Sequence, residues 1–200
     1  MHESESEVAQ SCPTLSDPIA LVRDMIGREV PVVPDPTLLL TPTQWRAYMT
    51  PQESGAYIFV YTVFKSESLW SFAERLSAQT GLPIKTVSYS VLHRHCADYD
   101  FTASPADWLG YMAGAAYVVT NSFHGVAFSL NFHKQFFYEL PPEHAGVGSR
   151  LSNIVSRYGV TDRALDVASI ENTIDFTRVE QQLEEDRTCA NVYLDEILSL

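Results

Sequence analysis

The sequence predicts an α/β domain in which a parallel sheet is covered by helices on both faces. Three observations carry this reading. Four short runs rich in β-branched and aromatic residues recur along the chain, near 57–64, 84–92, 116–120 and 135–140. The first of them, YIFVYTVF, is continuously apolar, as a strand buried on both faces must be. Between the runs lie segments of helix length, opened by capping residues and closed by glycine. Strands alternating with helices of this length specify a Rossmann-like parallel sheet.

The elements follow in order. Residues 1–14, MHESESEVAQSCPT, are acidic, poor in apolar side chains and expected to be disordered. Asp17 to Ile26 suits a short helix ended by Gly27, and VPVVPDPTLLL is extended and punctuated by proline. Thr41 as N-cap with Pro42 at the first helical position opens a second helix through Trp45 and Met49. After the first strand, Ser66 caps a helix that Gly81 ends. After the second, a polar loop carries His93, His95, Cys96, Asp98 and Asp100. Ser104, Pro105 and Asp107 then form a near relative of the capping box. The third strand leads to a helix over 126–132, the fourth to a helix over 149–158 closed by Gly159, and 169–199 hold one or two acidic helices. The domain proper is expected to span 15–168, with 169–200 packing on it.

Composition narrows the function. With 200 residues and 46% hydrophobic content the chain can bury one real core. No apolar run approaches the roughly 18 residues of a membrane span. The acidic start lacks a basic segment followed by an apolar one, so cytoplasmic localisation is expected. A net charge of -12 argues against a nucleic-acid partner. That charge sits at the two ends: 36–170 hold 9 Lys+Arg against 10 Asp+Glu, so a small anionic substrate remains compatible. Cys12, Cys96 and Cys189 are far apart and are expected to be reduced structural thiols. Tyr57, Phe59, Tyr61, Phe64, Phe136 and Phe137 fall in strand runs and are expected in the core. The histidine-bearing loop at 93–100 matches no zinc spacing, so no metal is expected there. His133 and His144 are expected in turns.

The informative stretch is AYVVTNSFHGVAFSLNF, 116–132. Strand, short polar turn, then helix with glycine in its first turn is a physical recipe for an anion site. Ser122 can cap the helix, Asn121 can hold the turn, and Gly125 can let a ligand approach the backbone. His124 stands at the rim with a titratable ring, fit to contact a phosphate or carboxylate or to move a proton. The bland alternative is a set of ordinary capping residues beside a satisfied surface histidine.

TNSFHGVAFSLNFHKQFFYEL, preceded by SPADWLGYMAGAAYVV and followed by GSRLSNIVSRYGVTDR, resembles the polysaccharide pyruvyl transferase family. So does VPVVPDPTLLLTPTQW upstream, and the resemblance covers roughly 15–165. It implies transfer of the pyruvyl group of phosphoenolpyruvate to sugar hydroxyls, with phosphoenolpyruvate as donor substrate, a sugar or polysaccharide acceptor, and no further cofactor. It also implies one lobe of a two-lobed, GT-B-like arrangement. The family's serine-x-histidine-glycine turn falls on Ser122, Phe123, His124 and Gly125. Its later serine-arginine falls on Ser149 and Arg150, which makes Arg150 a clamp for a carboxylate or phosphate. Asp35 and Thr37 match its Asp-Pro-Thr element, read as structural. The implied catalytic residue is His124, with Asn121, Ser122, Gly125, Ser149 and Arg150 binding substrate. The motifs are those of the family's C-terminal half. The expectation is therefore a fragment or shortened member, paired with an N-terminal lobe or a second copy. The rival expectations are a glycosyltransferase-like domain binding a nucleotide sugar and a non-catalytic member that pairs with another chain.

Overall fold

The computed structural model describes residues 22–28, 31–52, 54–55, 57–87, 98–140 and 148–199. For 148 and 149 the description covers the backbone alone. Residues 1–14, His93, His95, Cys96 and His144 lie outside the described residues. Two compact units divide the chain: 1–40 with 180–200, and 41–179.

The larger unit carries the sheet. β1 (Ile58–Tyr61), β2 (Ile84–Val87), β3 (Asp98–Asp100), β4 (Tyr117–Thr120) and β5 (Gln135–Tyr138) are parallel throughout, in the order β3-β2-β1-β4-β5. The fold class is therefore α/β with a Rossmann-like sheet, as the sequence predicts. β3 is the exception, since the sequence predicts a loop at Asp98 and Asp100. Its pairing to β2 is supported by the Lys85–Asp98 ion pair at 3.5 Å and by stacking of Tyr99 on Trp70 and Phe101.

Local capping side chains start three helices where the sequence predicts them. Thr41 and Gln44 form a full capping box on α2 (Pro42–Arg46), as do Ser104 and Asp107 on α4 (Pro105–Gly114). Ser66 caps α3 (Glu67–Thr80), and Gly81 ends it at φ 72°, a left-handed conformation that costs glycine nothing. Asp35 caps the single turn α1 (Pro36–Leu39), its carboxylate accepting from the Thr37 N–H at 3.1 Å and hydroxyl at 2.8 Å. The Asp-Pro-Thr element is thus a helix start. α5 (Phe123–Asn131) and α6 (Gly148–Arg157) complete the order, with a 3₁₀ turn at Thr161–Arg163 and α7 (Phe176–Leu198).

The two layers follow from handedness. β1→α3→β2 moves one way across the sheet, whereas β3→α4→β4 and β4→α5→β5 move the other way. Right-handed crossovers then place α3 on one face and α4 and α5 on the opposite one. Leu69, Trp70, Phe72 and Leu76 of α3 pack on Ile58, Val60, Ile84, Val119 and Phe137. On the other face Trp108 of α4 meets Phe59, Tyr61 and Phe128 edge-on. Phe136 is also fully buried, but Phe64, expected in the core, is 36% exposed, because β1 stops at Tyr61.

β5 is the sheet's edge, and 163–174 cover it. The Leu165 N–H donates to the Tyr138 carbonyl at 2.9 Å, and Arg163 Nε to the Phe136 carbonyl at 3.0 Å. Gln135 pairs its amide with the backbone of Ile174. The edge carbonyls are thereby satisfied without a sixth strand.

In the smaller unit Arg187 is buried, donating to the Leu38 carbonyl at 3.0 Å and pairing with Glu180 at 3.1 Å. Cys189 is disulfide-bonded, which corrects the expectation of three reduced thiols; its partner lies outside the described residues.

Candidate functional site

Strand order reverses between β1 and β4, so the loops that leave these two strands diverge to opposite faces. Such a switch point, at the carboxyl ends of the strands, is where an open parallel sheet forms a crevice for ligands. Asn121 ties the two loops together there. It is buried; its Oδ1 accepts from the Val63 N–H at 2.8 Å and the Phe64 N–H at 3.4 Å, and its Nδ2 donates to the Phe64 carbonyl at 3.0 Å. These bonds also explain why β1 ends early: the N–H groups that would extend it are turned to a side chain. Replacing Asn121 with Ala leaves the Val63 N–H and the Phe64 N–H and carbonyl, which are part-buried, without their amide partner. We expect a loss of about 1–3 kcal/mol, read as a lower urea midpoint at unchanged slope. An unchanged midpoint would show that water substitutes for the amide.

α5 begins at Phe123, three residues before the sequence reading placed it. Ser122 occupies the N-cap position, is buried, and makes no capping bond with its hydroxyl. Its own N–H is held by the Thr120 hydroxyl at 3.0 Å. The expected Ser cap is therefore not made. The first intrahelical bond runs from the Val126 N–H to the Ser122 carbonyl, at 3.1 Å. Among the described residues, the N–H groups of Phe123, His124 and Gly125 find no acceptor. Unspent donors at the positive end of a helix favour an anion.

Gly125 serves packing. An added Cβ would stand 2.3 Å from Thr120 Oγ1, so only glycine lets α5 sit this close to the end of β4. The sequence reading assigned this glycine to ligand approach, whereas the close approach here is between helix and strand.

His124 is exposed in the first turn of α5, and its ring meets Phe123 edge-on at 5.4 Å. The Arg150 guanidinium lies over the other partner of that ring, 4.2 Å from the Phe123 centroid. α5 and α6 pack together, and this brings Arg150 to the turn that carries His124. Phe123 was not singled out in the sequence, yet it is the platform that connects the two. Ser149 lies in the first turn of α6, its side chain outside the described residues.

A second group of polar side chains lies beyond the end of β5, also unforeseen. The Glu139 N–H donates to the Thr120 carbonyl at 3.0 Å, and its carboxylate accepts from the Ser68 hydroxyl on α3. The signal in the sequence was available, since Glu139 directly follows a strand whose carboxyl end faces the crevice.

The family model for polysaccharide pyruvyl transferase matches residues 18–138. The chain belongs to the polysaccharide pyruvyl transferase family. The match takes in Asp35, Thr37 and the whole Ser122–Gly125 turn, and it ends before Ser149 and Arg150. No curated protein and no solved structure matches the chain. For this pyruvyl transferase family member, a sugar or polysaccharide acceptor is what membership suggests. Among the described residues there is no cluster of His, Cys, Asp or Glu able to hold a metal, and no helix long and apolar enough to cross a membrane.

Elsewhere, Asp100 is a structural acceptor. The Tyr111 hydroxyl donates to it at 2.6 Å and the Thr102 N–H at 2.8 Å, which together hold its carboxyl below the usual range; the bond to Asp100 in turn pushes the Tyr111 phenol up. His133 adopts a left-handed φ of 53° in the turn before β5 and stacks on Phe176.

Proposed function

We propose that this chain binds phosphoenolpyruvate at the amino end of α5 and serves transfer of its pyruvyl group to sugar hydroxyls of a polysaccharide. The observation that carries the reading is the run of unspent N–H groups at Phe123, His124 and Gly125, with Arg150 stacked on Phe123 beside them. Phosphoenolpyruvate presents two anionic groups. The helix terminus suits one, and the planar fork of Arg150 can grip an oxyanion with two parallel bonds. His124, exposed on the first turn, supplies a proton donor or a further phosphate contact.

A proton adds to the methylene carbon of the enol, a sugar hydroxyl attacks the adjacent carbon and loses its proton, and phosphate leaves. A second hydroxyl of the same sugar then adds to that carbon, left as an oxocarbenium by the departing phosphate, and loses its proton to close the ketal. In the proposed roles the residues Asn121, Ser122, Gly125 and Ser149 shape the donor site, and His124 assists the protonation. Cytoplasmic action and a role in surface-polysaccharide synthesis belong to the same proposal, as does pairing with a second lobe or a second copy to close the site against water.

Calorimetric titration with phosphoenolpyruvate tests the donor site. We expect binding by the unaltered chain, weakened about tenfold or more by His124→Ala and by Arg150→Ala, with the urea midpoint unchanged because both side chains are exposed. Binding of a uridine or guanosine diphosphate sugar in its place would identify a glycosyltransferase-like domain. No binding of either, with a solution mass above that of one chain, would point to a non-catalytic pairing module.

A further inference from the structure

A cavity of about 370 Å³ opens beside the end of β5, between the first turns of α3 and the segment that covers the sheet edge. Ser68, Arg75, Glu139 and Asp166 supply its polar groups, and Phe72 and Leu140 its apolar wall. Its size falls within the range of small-molecule sites. We propose that this cavity receives a sugar ring of the acceptor.

The chemistry of the lining selects the class of ligand. Two carboxylates and one guanidinium face the cavity, so a doubly anionic molecule such as phosphoenolpyruvate is repelled. A metal is equally unsuited, since the two carboxylates have no third ligand among the described residues. A polyol fits. Each sugar hydroxyl both donates and accepts; carboxylates only accept, guanidinium only donates, and serine hydroxyls do either. Among the described residues Arg75 and Asp166 have no ion-pair or hydrogen-bond partner, although both line one cavity. Arg75 instead rests its guanidinium over the Phe72 ring at 5.4 Å, a contact that uses none of its N–H donors. Glu139 spends one carboxylate oxygen on the Ser68 hydroxyl and keeps the other for a ligand. Leu140, 46% exposed, offers a surface for the C–H face of a pyranose.

Position supports the same assignment. The Glu139 N–H is bonded to the carbonyl of Thr120, and the chain passes from Thr120 through Asn121 and Ser122 into α5. Cavity and helix terminus are thus neighbours along the carboxyl edge of β4 and β5. The inference rests on the proposed function, because a sugar is called an acceptor only if a pyruvyl donor binds beside it.

Ligand-observed saturation-transfer NMR on the full chain separates the two. The probes are methyl glucoside, methyl galactoside and methyl mannoside, each with and without phosphoenolpyruvate. We expect transfer to at least one glycoside, weakened roughly tenfold by Arg75→Ala and by Asp166→Asn, with phosphoenolpyruvate affinity unchanged in both variants. Arg75 and Asp166 are exposed, so both variants should fold, and Arg75→Gln gives a milder check should Arg75→Ala not fold. Absence of transfer to all three glycosides overturns the inference. So does loss of transfer in His124→Ala but not in the cavity variants, because the sugar then lies at the helix terminus. Glycoside transfer that depends on Arg75 and Asp166 in a chain that ignores phosphoenolpyruvate leaves the cavity as a sugar site and removes the donor reading.

Discussion

Replacing Gly125 with Ala is expected to destabilise the chain by about 3 kcal/mol, although the same change in an exposed helix stabilises by up to ~1 kcal/mol. The reversal of sign comes from Thr120. The new methyl would lie 2.3 Å from its Oγ1 and 2.9 Å from both its Cβ and Cγ2. Thr120 cannot turn away: it is fully buried, its hydroxyl donates to the Tyr61 carbonyl at 2.6 Å, and that hydroxyl accepts from the Ser122 N–H at 3.0 Å. Rotation breaks both bonds, and displacement of α5 unpacks Val126, Ala127 and Leu130, all of which are fully buried. For a chain of this length the loss corresponds to a Tm lower by roughly 6–12 °C. Thr120→Ala in combination should recover less than half, since it removes the 2.3 Å contact but leaves Cβ at 2.9 Å. A Gly125→Ala chain as stable as the original would mean that α5 can retreat from β4 at no cost.

How much of this could be read from the sequence depends on what each residue answers to. The caps at Thr41, Ser66 and Ser104 were legible because a capped helix start is a local event: an oxygen and an N–H two or three residues apart. Ser122 has the same composition and fails as a cap, because it is buried and its neighbour Thr120 already organises the turn. The run YIFVYTVF reads as one long strand, yet it stops at Tyr61. The cause, the amide of Asn121, lies 57 and 58 residues further along the chain. β3 was invisible for a related reason. Three residues, Asp-Tyr-Asp, carry no strand signal of their own, and only pairing to β2 makes them one.

The site divides along the same line. The turn with His124 was legible because the transition from strand to helix is local, and a free helix terminus needs no distant partner. That Arg150 reaches it was suggested by resemblance alone; the contact itself depends on the packing of α6 against α5 and on the face of Phe123. The cavity beside Glu139 could not have been read at all. Its walls come from α3, β5 and the segment at 164–166, and nothing in the spacing of Ser68, Arg75, Glu139 and Asp166 joins them.

Arg163 holds the other large effect. Truncation to Ala is expected to cost about 3–5 kcal/mol, for a side chain that touches no part of the candidate site. Arg163 is 1% exposed. Its Nε donates to the Phe136 carbonyl at 3.0 Å, its Nη1 to the Asn172 carbonyl at 2.8 Å, and its guanidinium lies 4.2 Å from the Phe137 ring centroid. Burial lowers its pKa, and the nearby carboxylate of Asp162 opposes that shift. Phe136 points its carbonyl away from β4, where a sixth strand would otherwise donate. Without Arg163 the Phe136 carbonyl is buried and unpaired, the Asn172 carbonyl loses its donor, and a void opens over Phe137. Arg163→Met separates the two contributions, because it refills most of the volume without restoring either donor. We expect it to recover a minority of the loss. Urea unfolding of both variants reads the costs, and amide exchange in β5 should accelerate in both. If Arg163→Met matches the original chain in stability, packing over Phe137 was all that Arg163 contributed, and the edge of β5 does not depend on its hydrogen bonds.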